Sequence, residues 1–199
     1  MKTILLLATF LILCNNYAYS QRAAKYYNRG IDRSELGDHR GAIGEFTRTI
    51  EIDPGFAEAY YNRGNARSEL GEYRGAIADY TKAIAIEPGS VAYSNRGNAK
   101  SALGDHRRAI ADFTKAIEID PGFAEAYYNR GNAKSELKDH RGAIADYDKA
   151  IEINPEFAEA FFNRGLAKLQ IEDKRGGSKD LHKSVELGLL GAFRAIRNL

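Results

Sequence analysis

The sequence predicts an all-α solenoid of about five helical hairpins. The tripeptide Asn-Arg-Gly recurs five times, and each of the first four copies ends in a proline. Successive copies lie 33 or 34 residues apart, and a fixed period in this range is typical of a solenoid. The glycines of the tripeptide are Gly30, Gly64, Gly97, Gly131 and Gly165, and the prolines are Pro54, Pro88, Pro121 and Pro155.

Each copy is predicted to hold two helices. In the second copy Gly71 is placed to end the first helix and Pro88 to end the second. Helical spacing puts Tyr60, Gly64, Arg67 and Leu70 on one face of the first helix. The second helix carries an apolar stripe of Ala76, Ile77, Tyr80, Ala83 and Ile84. Other copies place an aspartate where it caps the second helix, at Asp38, Asp105 and Asp139.

This order of aromatic, glycine, alanine, aromatic, alanine and proline resembles the tetratricopeptide repeat, over residues 23 to about 188. The resemblance implies hairpins stacked in a right-handed superhelix whose concave face is lined by the first helices. The predicted repeats are 23–56, 57–89, 90–123, 124–157 and a degenerate 158–188. A capping helix is predicted over 189–199, with an apolar stripe of Leu189, Phe193, Ile196 and Leu199 that covers the last open face.

The copies depart from the family pattern at one core position, where arginine replaces the usual leucine. These residues are Arg29, Arg63, Arg96, Arg130 and Arg164. Long basic side chains can lay their stems on the core, so we expect their charges to stay in water. In the fourth copy we expect Tyr127 and Tyr147 in the core and Tyr128 facing the groove.

Residues 1–20 have the composition of a signal peptide. Lys2 precedes an apolar run over 4–13, and the small residues Ala18 and Ser20 suit cleavage before Gln21. The run is too short to span a bilayer, which takes about 20 apolar residues. Two alternatives stay open at this point: an uncleaved anchor or buried first helix, and lipid attachment at Cys14, the single cysteine.

Charge and residue clustering favour neither nucleic-acid binding nor catalysis. The formal net charge is +2, without a concentrated basic stretch. The histidines at the hairpin turns come one per copy, too far apart along a solenoid to share a metal. We therefore expect no catalytic residue, no metal and no cofactor. The acids Asp79, Asp112 and Asp146 are predicted to pair with Lys82, Lys115 and Lys149 or to face solvent.

Two columns of asparagine along the first helices are the candidate ligand site. Asparagine is a poor helix former, yet its carboxamide can both donate to and accept from an extended peptide backbone. The columns resemble those with which tetratricopeptide superhelices grip peptides. Tyr61 and Tyr128 stand where a carboxylate-binding member would have lysine. One column holds Asn28, Asn62, Asn95, Asn129 and Asn163, and the other holds Asn65, Asn98 and Asn132. The alternative is that the carboxamides bond across adjacent repeats and only rigidify the stack.

The sequence therefore predicts an exported, periplasmic or secreted, non-catalytic adaptor or scaffold that binds a protein or peptide in its concave groove. No nucleic acid, membrane span of the mature chain or small-molecule substrate is expected. The second hypothesis is a structural or assembly subunit that acts through its convex face or its end helix.

Overall fold

The computed structural model describes the backbone of residues 2–196 and the side chains of residues 19–193 and 195. The described backbone is all helical and contains no strand. The chain divides into two compact units, Met1–Pro88 and Gly89–Leu199. The all-α solenoid predicted from the repeat period is confirmed.

The first unit consists of two hairpins. Its helices are α1 (Lys2–Glu35), α2 (His39–Ile52), α3 (Ala57–Glu69) and α4 (Tyr73–Ile86). Helix α1 packs on α2 and α3 packs on α4, while α2 also packs on α3. Each inner helix is thus covered on two sides.

The second unit repeats this arrangement with three hairpins. Its helices are α5 (Ser90–Ala102), α6 (His106–Ile119), α7 (Ala124–Glu136), α8 (His140–Ile153), α9 (Ala158–Gln170) and α10 (Lys174–Glu186). A 3-10 turn, Leu190–Ala192, and a short α11 (Phe193–Ile196) follow and pack on α10. Within this unit α6 packs on α7 and α8 packs on α9.

The predicted leader is continuous with the first hairpin, because α1 begins at Lys2 and runs to Glu35. The side chains of residues 2–18, including Cys14, lie outside the described set, so cleavage and lipidation stay predictions. Among the described residues, no helix is both long enough and apolar enough to cross a membrane.

Aspartates cap four of the second helices, as the sequence predicts for three of them. Asp38 accepts a hydrogen bond from the Gly41 amide at 2.9 Å, and Asp139 accepts one from Gly142 at 3.0 Å. Glycine is required at this position for a steric reason, because a Cβ at Gly41 or Gly142 would collide with the capping carboxylate. Where Arg108 replaces this glycine, the bond to Asp105 lengthens to 3.3 Å.

The core lies between helices and depends on a small residue opposite a large one. Tyr80 is 2 % exposed, and a Cβ at Gly64 would come within 2.7 Å of its ring. Ala76 and Ala83 are buried beside it, which confirms the stripe predicted for the second helix. The equivalent ring of Tyr147 is buried in the fourth copy.

The predicted phase of the first helix is partly wrong. In α3 Gly64 is buried, but Leu70, the residue that follows the helix, is 36 % exposed. The other buried residues of α3 are Ala57, Ala59 and Ala66. The reason is that α3 packs on both α2 and α4, so its apolar surface is wider than one stripe. Ala66 belongs to the cluster formed by Ala42 and Phe46 of α2.

The end segment also differs from its prediction. Ala192 is fully buried, whereas Phe193, assigned to the covering stripe, is 57 % exposed. The chain first makes a 3-10 turn, and the α-helix begins only at Phe193, so the predicted helical phase does not apply before it. Leu199 and the side chain of Ile196 lie outside the described residues.

Candidate functional site: the asparagine columns

Two members of the first asparagine column are bonded to tyrosines of the preceding copy. Asn62 of α3 donates from Nδ2 to the Tyr27 hydroxyl of α1 at 2.9 Å. Asn163 of α9 donates in the same way to Tyr128 of α7 at 3.0 Å. These bonds span neighbouring repeats, so here the carboxamides connect repeats, as the alternative hypothesis expects.

The second column is bonded to buried tyrosines of its own copy. The Tyr80 hydroxyl donates to Asn65 Oδ1 at 2.8 Å, and the Tyr147 hydroxyl donates to Asn132 Oδ1 at 2.8 Å. Burial raises the pKa of both tyrosines, which keeps their hydroxyls protonated and able to donate. The third copy has Phe113 at this place, and its asparagine, Asn98, is exposed.

The remaining column members differ in exposure. Asn28 is exposed, while Asn95 and Asn129 are half-buried. The copy before Asn129 has Ser94 in place of the tyrosine that bonds Asn62 and Asn163. Within the described residues Asn129 makes no side-chain hydrogen bond, which leaves its carboxamide open to a ligand.

The two tyrosines predicted to face the groove pack on aromatic neighbours. The Tyr61 ring lies 6.0 Å from the Tyr80 ring, and the Tyr128 ring lies 6.0 Å from Tyr147 and 4.8 Å from Phe157. Tyr127, predicted as core, is only half-buried. The contrast expected between Tyr127 and Tyr128 is therefore wrong, because α7 packs on the helices at both of its sides.

A cavity of about 370 Å³ adjoins the second column in the second unit. It is lined by Asn132, Ser135, Glu136, Tyr147, Asn163 and Leu166. Asn163 Nδ2 donates to Asn132 Oδ1 at 2.8 Å as well as to Tyr128. Within the described chain no bond uses Asn132 Nδ2 or Asn163 Oδ1. The internal network thus leaves one amide donor and one amide acceptor for a ligand.

Four of the five arginines that replace leucine form ion pairs that sequence reasoning missed: Arg63, Arg96, Arg130 and Arg164. Arg63 Nε and Nη2 donate to the two carboxylate oxygens of Asp79 at 3.0 and 2.7 Å, and Arg67 adds a third contact at 2.6 Å. Asp79 is 2 % exposed. Arg63 is largely buried and stacks over Tyr60, so the expectation that its charge stays in water is wrong.

The same ion pairs recur in the second unit. In each copy an aspartate of the second helix bonds two cations of the first helix: the arginine, and the lysine one helical turn after that arginine. These aspartates are Asp112, Asp146 and Asp180. The predicted partners are therefore wrong: Lys115 and Lys149 instead bond Glu118 and Glu152, on the same helix. The reason is that the arginine of the first helix faces the second helix, and its planar fork matches a carboxylate.

Three of these arginines also reach the preceding copy. Arg63 donates to Thr47 Oγ1 at 3.0 Å, Arg130 to Thr114 Oγ1 at 3.1 Å, and Arg164 to Asp148 at 2.6 Å. One side chain thus joins three helices. The repeated Arg-to-Asp spacing of sixteen residues is the feature of the sequence that could have indicated this pairing.

The histidines at the hairpin turns do not converge on a site. His39, His106 and His140 each begin a second helix, one per copy. The Nδ1 atom of each is buried without a hydrogen-bond partner in the described chain. No group of three potential metal ligands occurs within the part of the chain that the structure describes.

Comparison with known proteins agrees with the helical hairpins. Three consecutive segments, 57–90, 90–123 and 124–157, match the family described as the tetratricopeptide repeat. The fold is similar to a crystal structure of MamA protein, with 26% identity and a TM-score of 0.79, over 84% of this chain and 92% of that one. A search of curated protein sequences finds no match.

Two further structures are similar in fold at lower identity. A MamA fragment from Desulfovibrio magneticus RS-1 has 21% identity and a TM-score of 0.79, over 83% of this chain and 94% of that one. YrrB, described as a TPR protein with an unusual peptide-binding site, has 21% identity and a TM-score of 0.76, over 90% of this chain and 94% of that one.

Proposed function

This chain belongs to the tetratricopeptide repeat family, whose members bind protein or peptide partners, and from that premise we propose that it is an exported, non-catalytic adaptor. The ligand is an extended peptide segment, held through its backbone by the asparagine columns. YrrB, which has the same fold, is described as having a peptide-binding site, and this supports the ligand class. The leader composition of residues 1–20 supports export.

The cavity beside Asn132 and Asn163 carries the proposal. A peptide group offers one N–H donor and one C=O acceptor. Asn132 Nδ2 can donate to the ligand carbonyl, and Asn163 Oδ1 can accept from the ligand N–H, because both atoms are unbonded within the described residues. The internal bonds to Tyr147 and Tyr128 fix the orientation of the two carboxamides before the ligand arrives, which lowers the entropic cost of binding.

Peptides selected from a random library on the full chain provide the test. Asn132→Ala removes one ligand bond of about 1 kcal/mol and also the acceptor that orients Asn163, so the dissociation constant of a selected peptide should rise at least about fivefold. Asn129→Ala should weaken binding of longer peptides by a similar factor. Fluorescence anisotropy measures both effects.

Arg40→Ala, on the exposed side of α2, is the control and should bind as the wild type does. N-methylation of the ligand amide that meets Asn163 should reproduce the loss, since it removes the donor without changing a ligand side chain. Unchanged affinity for both asparagine variants and for the N-methylated peptide would show that the columns only connect repeats.

A further inference from the structure

A second cavity, of about 740 Å³, lies against the last hairpin of the second unit and is strongly basic. It is formed by α9 and α10, and its basic side chains are Arg164, Lys168, Arg175, Lys179 and Lys183. Helical spacing turns Arg164 by about 100° and Lys168 by about 140° away from Asn163 around α9. This cavity shares no lining residue with the cavity beside the asparagine columns, so the two surfaces are separate.

The acids of the cavity are already neutralised by its own cations. Asp180 bonds both Arg164 and Lys168 at 2.7 Å, and Glu186 bonds Lys183 at 3.1 Å. Arg175 and Lys179 are exposed and form no ion pair within the described residues. Arg164 also bonds Asp148 of α8 at 2.6 Å, so three acids offset three of the five cations and two positive charges stay uncompensated.

The preceding hairpin is an internal reference, because α8 and α10 have the same register. Arg175 corresponds to Arg141, but Lys179 replaces Ala145 and His182 replaces Asp148. Lys179 adds a positive charge where α8 has alanine, and His182 removes the negative charge that α8 has at Asp148. They are confined to the last repeat, so the basic character is not a general property of these helices.

The change at His182 also alters what the position can bind. In α8, Asp148 accepts a hydrogen bond from the next arginine, and Thr114 does so in α6. His182 has its Nδ1 atom 2.8 Å from the Ser178 carbonyl oxygen, which holds the ring on α10. In α10 an imidazole between Lys179 and Lys183 therefore stands where α6 and α8 have an oxygen acceptor for arginine. The complementary group for this surface is an anion.

We infer that this basic end surface docks an acidic peptide segment of a partner protein. Two uncompensated cations suit a short run of carboxylates. A nucleic acid would need a basic stripe that continues over other repeats. In the described α6 and α8 the position of Arg175 is held by Arg107 and Arg141, but alanine stands at the position of Lys179. Lys115 and Lys149 are paired with glutamates, so one arginine per repeat does not make a continuous stripe.

Binding of a fluorescently labelled oligoglutamate peptide to the full chain tests the inference, with oligoglutamine as the uncharged reference. The double variant Arg175→Ala/Lys179→Ala should raise the dissociation constant about tenfold, which is about 1.4 kcal/mol for the two lost charge contacts together. His182→Asp, which restores the residue found in α8, should weaken binding further. Arg141→Ala, the matched change in the preceding repeat, should have no effect.

All three altered side chains are exposed, so the variants should keep the wild-type thermal midpoint, measured by circular dichroism. Equal affinity of wild type and double variant for oligoglutamate would overturn the inference. It would also be overturned by tighter binding of a duplex DNA oligonucleotide or of anionic lipid vesicles at the same ionic strength. Peptides selected for the asparagine columns should bind the double variant normally, which separates this result from the proposed adaptor function.

Discussion

The guanidinium of Arg130 donates two hydrogen bonds to the carboxylate of Asp146, at 3.0 and 2.7 Å. Lys134 contacts the same carboxylate at 2.8 Å, and Arg130 continues to Thr114 at 3.1 Å. Three helices of the second unit, α6, α7 and α8, therefore meet at one arginine. Asp146 is 4 % exposed, so these partners, in place of water, stabilise its negative charge in the folded chain.

Replacement of Asp146 by alanine should strongly destabilise the fold. It leaves Arg130 and Lys134 without their acid in a largely buried position, and breaking a buried ion pair in this way typically costs about 3–5 kcal/mol. Urea unfolding followed by circular dichroism measures the change. Glu152→Ala, which breaks the exposed pair with Lys149, is the control and should cost less than about 1 kcal/mol. Similar losses for the two variants would contradict the prediction.

The repeat period was enough to predict the hairpins, because a glycine or proline at a fixed offset ends a helix whatever its neighbours are. It did not predict the partner of Arg130. The nearest acid in the sequence is not the nearest in space, since the bonded Asp146 lies on the next helix. Arginine is mostly a surface residue, and only the repeated aspartate opposite it permits burial here.

The asparagine columns were predictable as columns but not in their bonding. Their one-per-copy spacing places them along successive first helices. Which carboxamide is bonded depends on whether the facing residue is a tyrosine or not: Tyr128 for Asn163, but Ser94 for Asn129. That relation crosses from one repeat to the next, so inspection of a single repeat does not reveal it.

Acid should weaken the last hairpin through Asp180. Burial raises the pKa of this carboxyl, but hydrogen bonds and charge from Arg164 and Lys168 outweigh it and hold the pKa below the usual 3.8. Because the folded pKa is the lower one, the carboxylate stabilises the fold above the unfolded pKa. That contribution is lost as the pH falls through the folded pKa.

The matched variant is Asp180→Asn, which has no titrating group at this position. Its unfolding free energy should be lower than that of the wild type at neutral pH, and it should fall less as the pH drops below about 3.8. Urea midpoints measured through this range give the comparison. Glu186→Gln, which changes an exposed pair, serves as the control. Parallel pH curves for wild type and Asp180→Asn would contradict the linkage.

Cleavage of the leader should yield a chain that begins at Gln21. Tyr19 is 53 % exposed, Ser20 and Gln21 are also exposed, and the first buried described side chain is Ala23. Removal of residues 1–20 therefore takes away no described core residue of the first hairpin. Mass spectrometry of the protein isolated from the source cell measures the mature mass. Ala18→Arg, which places a bulky charge at the small-residue site, should block cleavage. A mature form that keeps residues 1–20, or that begins at a lipidated Cys14, would contradict export by this route.

Alanine substitutions at two asparagines of the first column should differ in their effects on stability and on peptide binding. Asn163→Ala removes hydrogen bonds to Tyr128 and Asn132, each worth about 1 kcal/mol, and regains only a few tenths from helix propensity. It should therefore destabilise the chain by about 1–2 kcal/mol. Asn129→Ala breaks no side-chain bond within the described residues, so it should leave stability unchanged or slightly raised. Urea unfolding gives both values, and affinity for a selected peptide is measured on the same samples. Loss of binding by Asn129→Ala at full stability supports a ligand role, whereas equal destabilisation by the two variants would show that Asn129 also connects repeats.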